Sequence, residues 1–152
     1  MNEKKIAVIN HYEKTIEWMN RLRKLPEDSW RTSIGEGRWT IAEVIGHLIA
    51  WDEFVLLQRI PHLLKGVELP RSPEVELVNQ QAAELSRSRP MGDTINQFNE
   101  IRKSLIVGIS NIPDELWEHD LSIGRKCISL FDYFAGLMEH DHHHFSQIHE
   151  II

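Results

Sequence analysis

Residues 134–152 read FAGLMEHDHHHFSQIHEII and hold five of the nine histidines in the chain. Helical rotation of about 100° per residue puts His140 and His144 one above the other on one face. With His140 at zero, His144 falls near about 40°, Leu137 near about 60° and Ile148 near about 80°. The pair therefore borders an apolar stripe. On the same wheel His142 and His149 lie near the opposite face and His143 on the flank, so all three read as solvated. An i, i+4 pair has metal-ligand spacing but supplies only two ligands. Its meaning depends on a third residue and on a scaffold that brings the three together.

The rest of the chain supplies the scaffold. Ser129 is a cap for the helix that carries the pair, expected over residues 130–152. Upstream, Ile95, Phe98, Ile101, Leu105 and Ile109 recur at spacings of three and four, with Asp93 or Thr94 as cap and Pro113 as terminator. Ile6, Ile9, Trp18, Met19 and Leu22 place a first helix over residues 3–25. Thr40 and Glu43 have capping-box spacing. They open a second helix whose stripe, Ile41, Val44, Leu48, Trp51 and Val55, runs toward a kink at Pro61 and an end at Gly66. Ser72 and Pro73 predict the start of a further segment through about Ser86, broken at residues 88–92. The connection PDELWEHDLSIGRKCI reads as a helical turn followed by irregular or weakly extended chain.

Four long amphipathic helices, with no sustained alternation and no fixed repeat, specify an all-α four-helix bundle. The third segment is broken and the connections are long. A chain of 152 residues, 41% hydrophobic and 26% charged, fits one domain over residues 1–152. Seventeen basic against 23 acidic residues give a net charge of −6, which lacks the footprint of a nucleic-acid binder. Cys127 is the only cysteine, which excludes a disulfide framework and a multi-cysteine zinc site. With no base nearby it reads as a small packing residue. The apolar run after Lys4 and Lys5 is too short for a secretory signal, and Val44 to Trp51 is too short for a membrane span. These features favour the cytoplasm.

The wheel of the second helix sets His47 beside Trp51, Val44 and Leu48. Alone, His47 reads as a hydrogen-bonded core residue. Joined to His140 and His144, it completes three imidazoles from two helices, enough to hold a divalent ion and leave a position open. The zincin pattern is absent, because Asp141 rather than glutamate follows His140. A bound ion lowers the pKa of water or of a thiol and so supplies a nucleophile. Glu43, one turn before His47, either orients that ring or serves the capping box with Thr40. Asp141 points toward the apolar side and needs a partner there, as an orienting group for the site or in a pair with another helix. Gln147 offers a polar wall.

The combination of WTIAEVIGHL at residues 39–48 with HDxxHxxQI at residues 140–148 resembles the DinB/YfiT-like superfamily. That resemblance implies a four-helix bundle, often dimeric, with zinc or nickel held by His47, His140 and His144. It also implies, among characterised members, transfer of low-molecular-weight thiols to electrophiles and a thiol-dependent isomerisation. The expectation is a metal-dependent small-thiol transferase or small-molecule hydrolase, acting as a homodimer on a small-molecule substrate without nucleic acid or membrane. The alternative is a noncatalytic binding or stress-related bundle with a structural metal.

Overall fold

The computed structural model describes residues 2–65 and 68–152. Its elements in order are α1 (Glu3–Leu22), α2 (Glu27–Trp30), α3 (Ile41–Phe54), a π-helical stretch (Val55–Arg59) and α4 (Ile60–Lys65). They continue with α5 (Val75–Ser88), α6 (Met91–Ser110), a 3-10 turn (Asp114–Glu118), β1 (Asp120–Ile123), β2 (Lys126–Ser129) and α7 (Leu130–His149). Helices α1, α3, α6 and α7 form the bundle: α1 packs on α6 and α7, and α3 packs on α6, α7 and the outer helix α5. The fold is the expected all-α bundle with its broken segment.

The apolar stripes account for the core. Val8 and Met19 of α1, Ile41 and Ile45 of α3, Ile95, Phe98 and Leu105 of α6, and Phe134 and Ile148 of α7 are fully buried. Each such side chain contributes about 1.5–3 kcal/mol on leaving water. Gly46 permits the close approach of α3 and α5, since a Cβ there would lie 1.7 Å from Ser86 Oγ. The Thr40–Glu43 capping box forms in full, and Ser129 Oγ accepts from the Asp132 amide to cap α7.

Several local expectations are corrected. Helix α1 ends at Leu22, and residues 23–25 continue as turns bonded back to the last carbonyls of α1. Ser72 and Pro73 cap nothing: α5 starts at Val75 behind Glu74, and the Ser72 hydroxyl instead accepts from Arg59. Neither Asp93 nor Thr94 caps α6, which begins at Met91 behind Pro90, whose extended backbone turns the chain into the helix. Before Pro61, where a kink is expected, the helix widens, and the Ile60 amide donates to the Val55 carbonyl five residues back. Proline lacks the amide that would continue the α pattern, and the π stretch widens the chain to suit. The expected helix end at Gly66 lies outside the described residues.

The weakly extended connection is a β-hairpin, antiparallel with Leu121 opposite Ile128, turning through Gly124 at φ 59°. Leu69 joins its edge by donating its amide hydrogen bond to the Ser122 carbonyl. Cys127 is exposed on this hairpin and packs into no core. Helix α7 stops at His149, short of residue 152. Among the described residues no helix is long and apolar enough to cross a membrane.

Candidate metal centre

Helix α3 carries His47 and α7 carries His140 and His144. The bundle brings one ring nitrogen from each to within 4.8 Å of the other two. His47 is buried, His140 exposed and His144 half-buried. The His47 ring centroid lies 5.3 Å from that of His140 and 4.6 Å from that of His144. His47 Nδ1–H donates to the Val44 carbonyl, and His144 Nδ1–H donates to Gln147 Oε1 at 2.9 Å. Both bonds fix the tautomer that leaves Nε2 as a lone pair.

The donor set fits a divalent cation. His140 Nε2 and His144 Nε2 are 3.1 Å apart. Two bonds of 2.0–2.1 Å spanning that gap enclose an angle of about 100°, close to tetrahedral. Loss of surrounding water, greatest at His47 and partial at His140 and His144, pushes all three imidazoles toward the neutral form. The His47 value falls to about 3, with a further push from His144, and those of His140 and His144 also fall below the ordinary histidine range. Neutral rings are ligands; protonated ones are not. With no thiolate in the set, imidazole chemistry suits zinc and nickel alike.

Access is through a cleft of about 340 Å³ lined by Ile34, Gly37, Arg38, Trp39, His144 and Gln147. Its outer wall is the loop between α2 and α3. Arg31 ties that loop to the end of α5 by donating to the Ser86 and Arg89 carbonyls, both at 2.6 Å. An isolated Ser33–Thr40 bridge and a turn through Gly37 at φ 70° close the loop. The Trp39 ring then sits 4.9 Å from His47.

Residues 12–148 match the model of the DinB superfamily. The chain belongs to that superfamily. In solved structures it is similar to YfiT from Bacillus subtilis, described as a probable metal-dependent hydrolase with an unusual four-helix bundle topology. That match has a TM-score of 0.81 at 16% identity, over 99% of this chain and 87% of the other. It is also similar to a mycothiol-dependent maleylpyruvate isomerase, with a TM-score of 0.61 and 16% identity over 90% of this chain. The chain spans about half of the isomerase, 54%. A variant of that isomerase matches equally, with a TM-score of 0.61. No curated protein sequence matches. These likenesses show the fold, and the three-histidine cluster is consistent with the DinB superfamily.

The other expected residues take distinct places in this DinB-type bundle. Glu43 accepts from the Thr40 amide and from Arg87, and makes no hydrogen bond to His47. Burial raises its carboxyl, but the bonds from Thr40 and Arg87 outweigh this and hold it below the ordinary range. Gln147 bonds His144 directly. Asp141 turns away from the three imidazoles into a buried network. It accepts from His11 Nε2 at 2.7 Å and from Arg102 Nη1 and Nη2 at 2.6 and 3.0 Å. Arg102 also donates to Asp52 at 2.7 and 3.3 Å, so one guanidinium serves two carboxylates. Burial opposes both charges. For Asp141 the Arg102 charge and the His11 bond prevail and hold the carboxyl far below its usual range, whereas burial pushes Asp52 up to about 7.

His11, Asp52 and Arg102 are the members that helix-wheel reading passed over. A signal was present. Asp52 follows Leu48 by four, Arg102 lies between Phe98 and Leu105, and His11 and Thr15 interrupt the stripe of Val8 and Met19. Polar residues at stripe positions on three helices need one another. His142, His143 and His149 are exposed.

Proposed function

We propose that the protein is a divalent-metal-dependent enzyme acting on a small molecule, with His47, His140 and His144 as the ligands. The supporting observation is the convergence of three neutral imidazole nitrogens beside an open cleft. When bound, the ion supplies Lewis acidity that lowers the pKa of a thiol or of water. Among the described residues the cleft lining holds no carboxylate to serve as general base. A low-molecular-weight thiol starts nearer to ionisation at neutral pH than water does. The reading therefore favours thiol transfer to an electrophile over hydrolysis.

The chain's own groups do the positioning. Val44 and Gln147 hold two imidazoles in their ligand tautomers, Trp39 and Ile34 offer an apolar wall, and Arg38 presents a cation to an anionic part of substrate or thiol. The cytoplasm, a single domain over residues 1–152 and a homodimer belong to the same proposal. The test is metal analysis of protein purified without a histidine tag, followed by assay of several small thiols with monochlorobimane. Thiol consumption that chelation and His47→Ala both abolish supports the reading. Ester cleavage without thiol moves the assignment to hydrolysis. Protein that takes up no metal on reconstitution refutes it.

A further inference from the structure

Beyond the C-terminal end of α3, where Arg59 donates to Tyr133 in the first turn of α7, the chain turns cationic. Arg59 ends the π stretch, and its whole residue is only 8% exposed. Its guanidinium makes four hydrogen bonds, all to neutral acceptors. Nε and Nη2 donate to the Pro70 carbonyl, Nη2 to Ser72 Oγ and Nη1 to Tyr133 OH. A guanidinium has five N–H groups, so one remains unassigned. The charge also stacks 4.7 Å over the Phe54 ring. Among the described residues no carboxylate pairs with it. Arg102, the other buried arginine, has two.

An open cleft of about 490 Å³ is lined by Arg59, Arg71, Ser72, Gly124, Arg125 and Lys126, together with Ile123. No carboxylate lines it. Arg71, Arg125 and Lys126 likewise make no ion pair among the described residues. Three separate pieces of chain build the arrangement. The π stretch supplies Arg59, the segment before α5 supplies Arg71 and Ser72, and the hairpin supplies Gly124 and Arg125 from its turn and Lys126 from the start of β2. The hydrogen bond from the Leu69 amide to the Ser122 carbonyl holds the last two pieces together. Gly124 leaves room for Arg71 to cross the turn, since a Cβ there would meet Arg71 Nε at 2.9 Å.

Four cations gathered around one cleft in a chain of net charge −6 repel one another unless an anion joins them. Guanidinium groups match the geometry of phosphoryl oxygens, and the Ser72 hydroxyl adds a neutral donor. We propose that this cleft binds a small molecule through a phosphoryl group. Arg59 would provide the desolvated charge, with Arg71, Arg125 and Lys126 closing around the oxygens. The site stands apart from the three histidines and does not depend on their function.

The test uses the full chain and two probes, inorganic phosphate and pyrophosphate, with binding followed by calorimetry and by amide chemical shifts. The expected result is saturable binding, tighter for pyrophosphate, with shifts centred on Ser72, Gly124 and Lys126 rather than on Trp39 and Gln147. Loss of charge-assisted bonds in the exposed double variant R71Q/R125Q should weaken binding by at least about tenfold. His144→Ala should bind the probes as the parent does. Arg59→Gln tests the buried charge; because Arg59 also ties Pro70 to Tyr133, the exposed double variant decides if Arg59→Gln fails to fold. Absence of saturable binding, equal affinity in R71Q/R125Q, or shifts confined to the histidine site would overturn the proposal. So would binding of an oligonucleotide with no response to either phosphate probe.

Discussion

Replacing Arg102 by methionine should be among the most damaging single changes outside the apolar core. The arginine side chain is 1% exposed and joins three helices through Asp52, Asp141 and Thr15. Methionine keeps the length and apolar character of the stem but removes the charge, leaving Asp52 and Asp141 buried without a cation. Removing one partner of a buried ion pair costs about 3–5 kcal/mol, most of it from the uncompensated charge left behind. With a urea dependence of about 2 kcal/mol per molar, the midpoint should fall by about 2 M. The assay is urea unfolding at pH 7, followed by circular dichroism and by fluorescence of the five tryptophans.

The pH dependence of that loss follows from the same charges. Without Arg102 both carboxyls prefer protonation in the folded state more than in the unfolded chain. The deficit of the variant should therefore shrink as pH falls from 7 toward 4. Asp52→Asn should be mild by comparison, because burial already pushes that carboxyl up to about 7 and Arg102 keeps Asp141. A midpoint for Arg102→Met within about 0.5 M of the parent, well under the shift expected for a broken buried pair, would refute the reasoning. So would greater damage from Asp52→Asn.

The remaining expectations concern the histidine site and the helix contacts. His47→Ala should lower metal affinity by more than about 100-fold and Gln147→Leu by about 10- to 100-fold, measured by competition with a chromophoric chelator. Equal affinity in Gln147→Leu would show that its bond to His144 does not orient the ring. In metal-free protein, the depressed His47 value means that the unfolded chain binds the proton first. Stability is then fully present above about pH 6.5 and declines as pH falls toward 3, by about 2 kcal/mol at pH 5. His47→Gln should lack that part of the acid sensitivity in urea titrations at the two pH values. Gly46→Ala should cost about 1–3 kcal/mol, because the added carbon meets Ser86 Oγ and the Ala82 carbonyl. A Gly46→Ala/Ser86→Ala pair that recovers part of the loss would locate the clash, and no recovery would place it on the backbone.

Much of the bundle was readable from residue order because burial of a helix face is a local, periodic demand. Ile95, Phe98 and Leu105 announce one face of α6, Ile41, Val44 and Leu48 one face of α3, and the Thr40–Glu43 box marks the start of α3 within the same few residues. The ends were less readable where tertiary contacts decide them. Ser72 has the chemistry of a cap, yet Arg59 takes its oxygen. The hairpin before α7 carries too little alternation to stand out, and its partner Leu69 lies more than fifty residues earlier. Asp141 shows the same limit at the site. Its position on the wheel demanded a buried partner, but whether that was an imidazole of the cluster or a group on another helix depended on where Arg102 and His11 came to rest.

Residue order alone is enough to specify a four-helix bundle and to set His140 and His144 on one face, because helical rotation is a property of neighbouring residues. Packing between helices is what brings His47 to them, places two carboxylates on Arg102 inside the bundle and leaves Arg59 beside a cleft without one. Those outcomes depend on how separate helices pack. Spacing along a single helix carries no information about the distance to another.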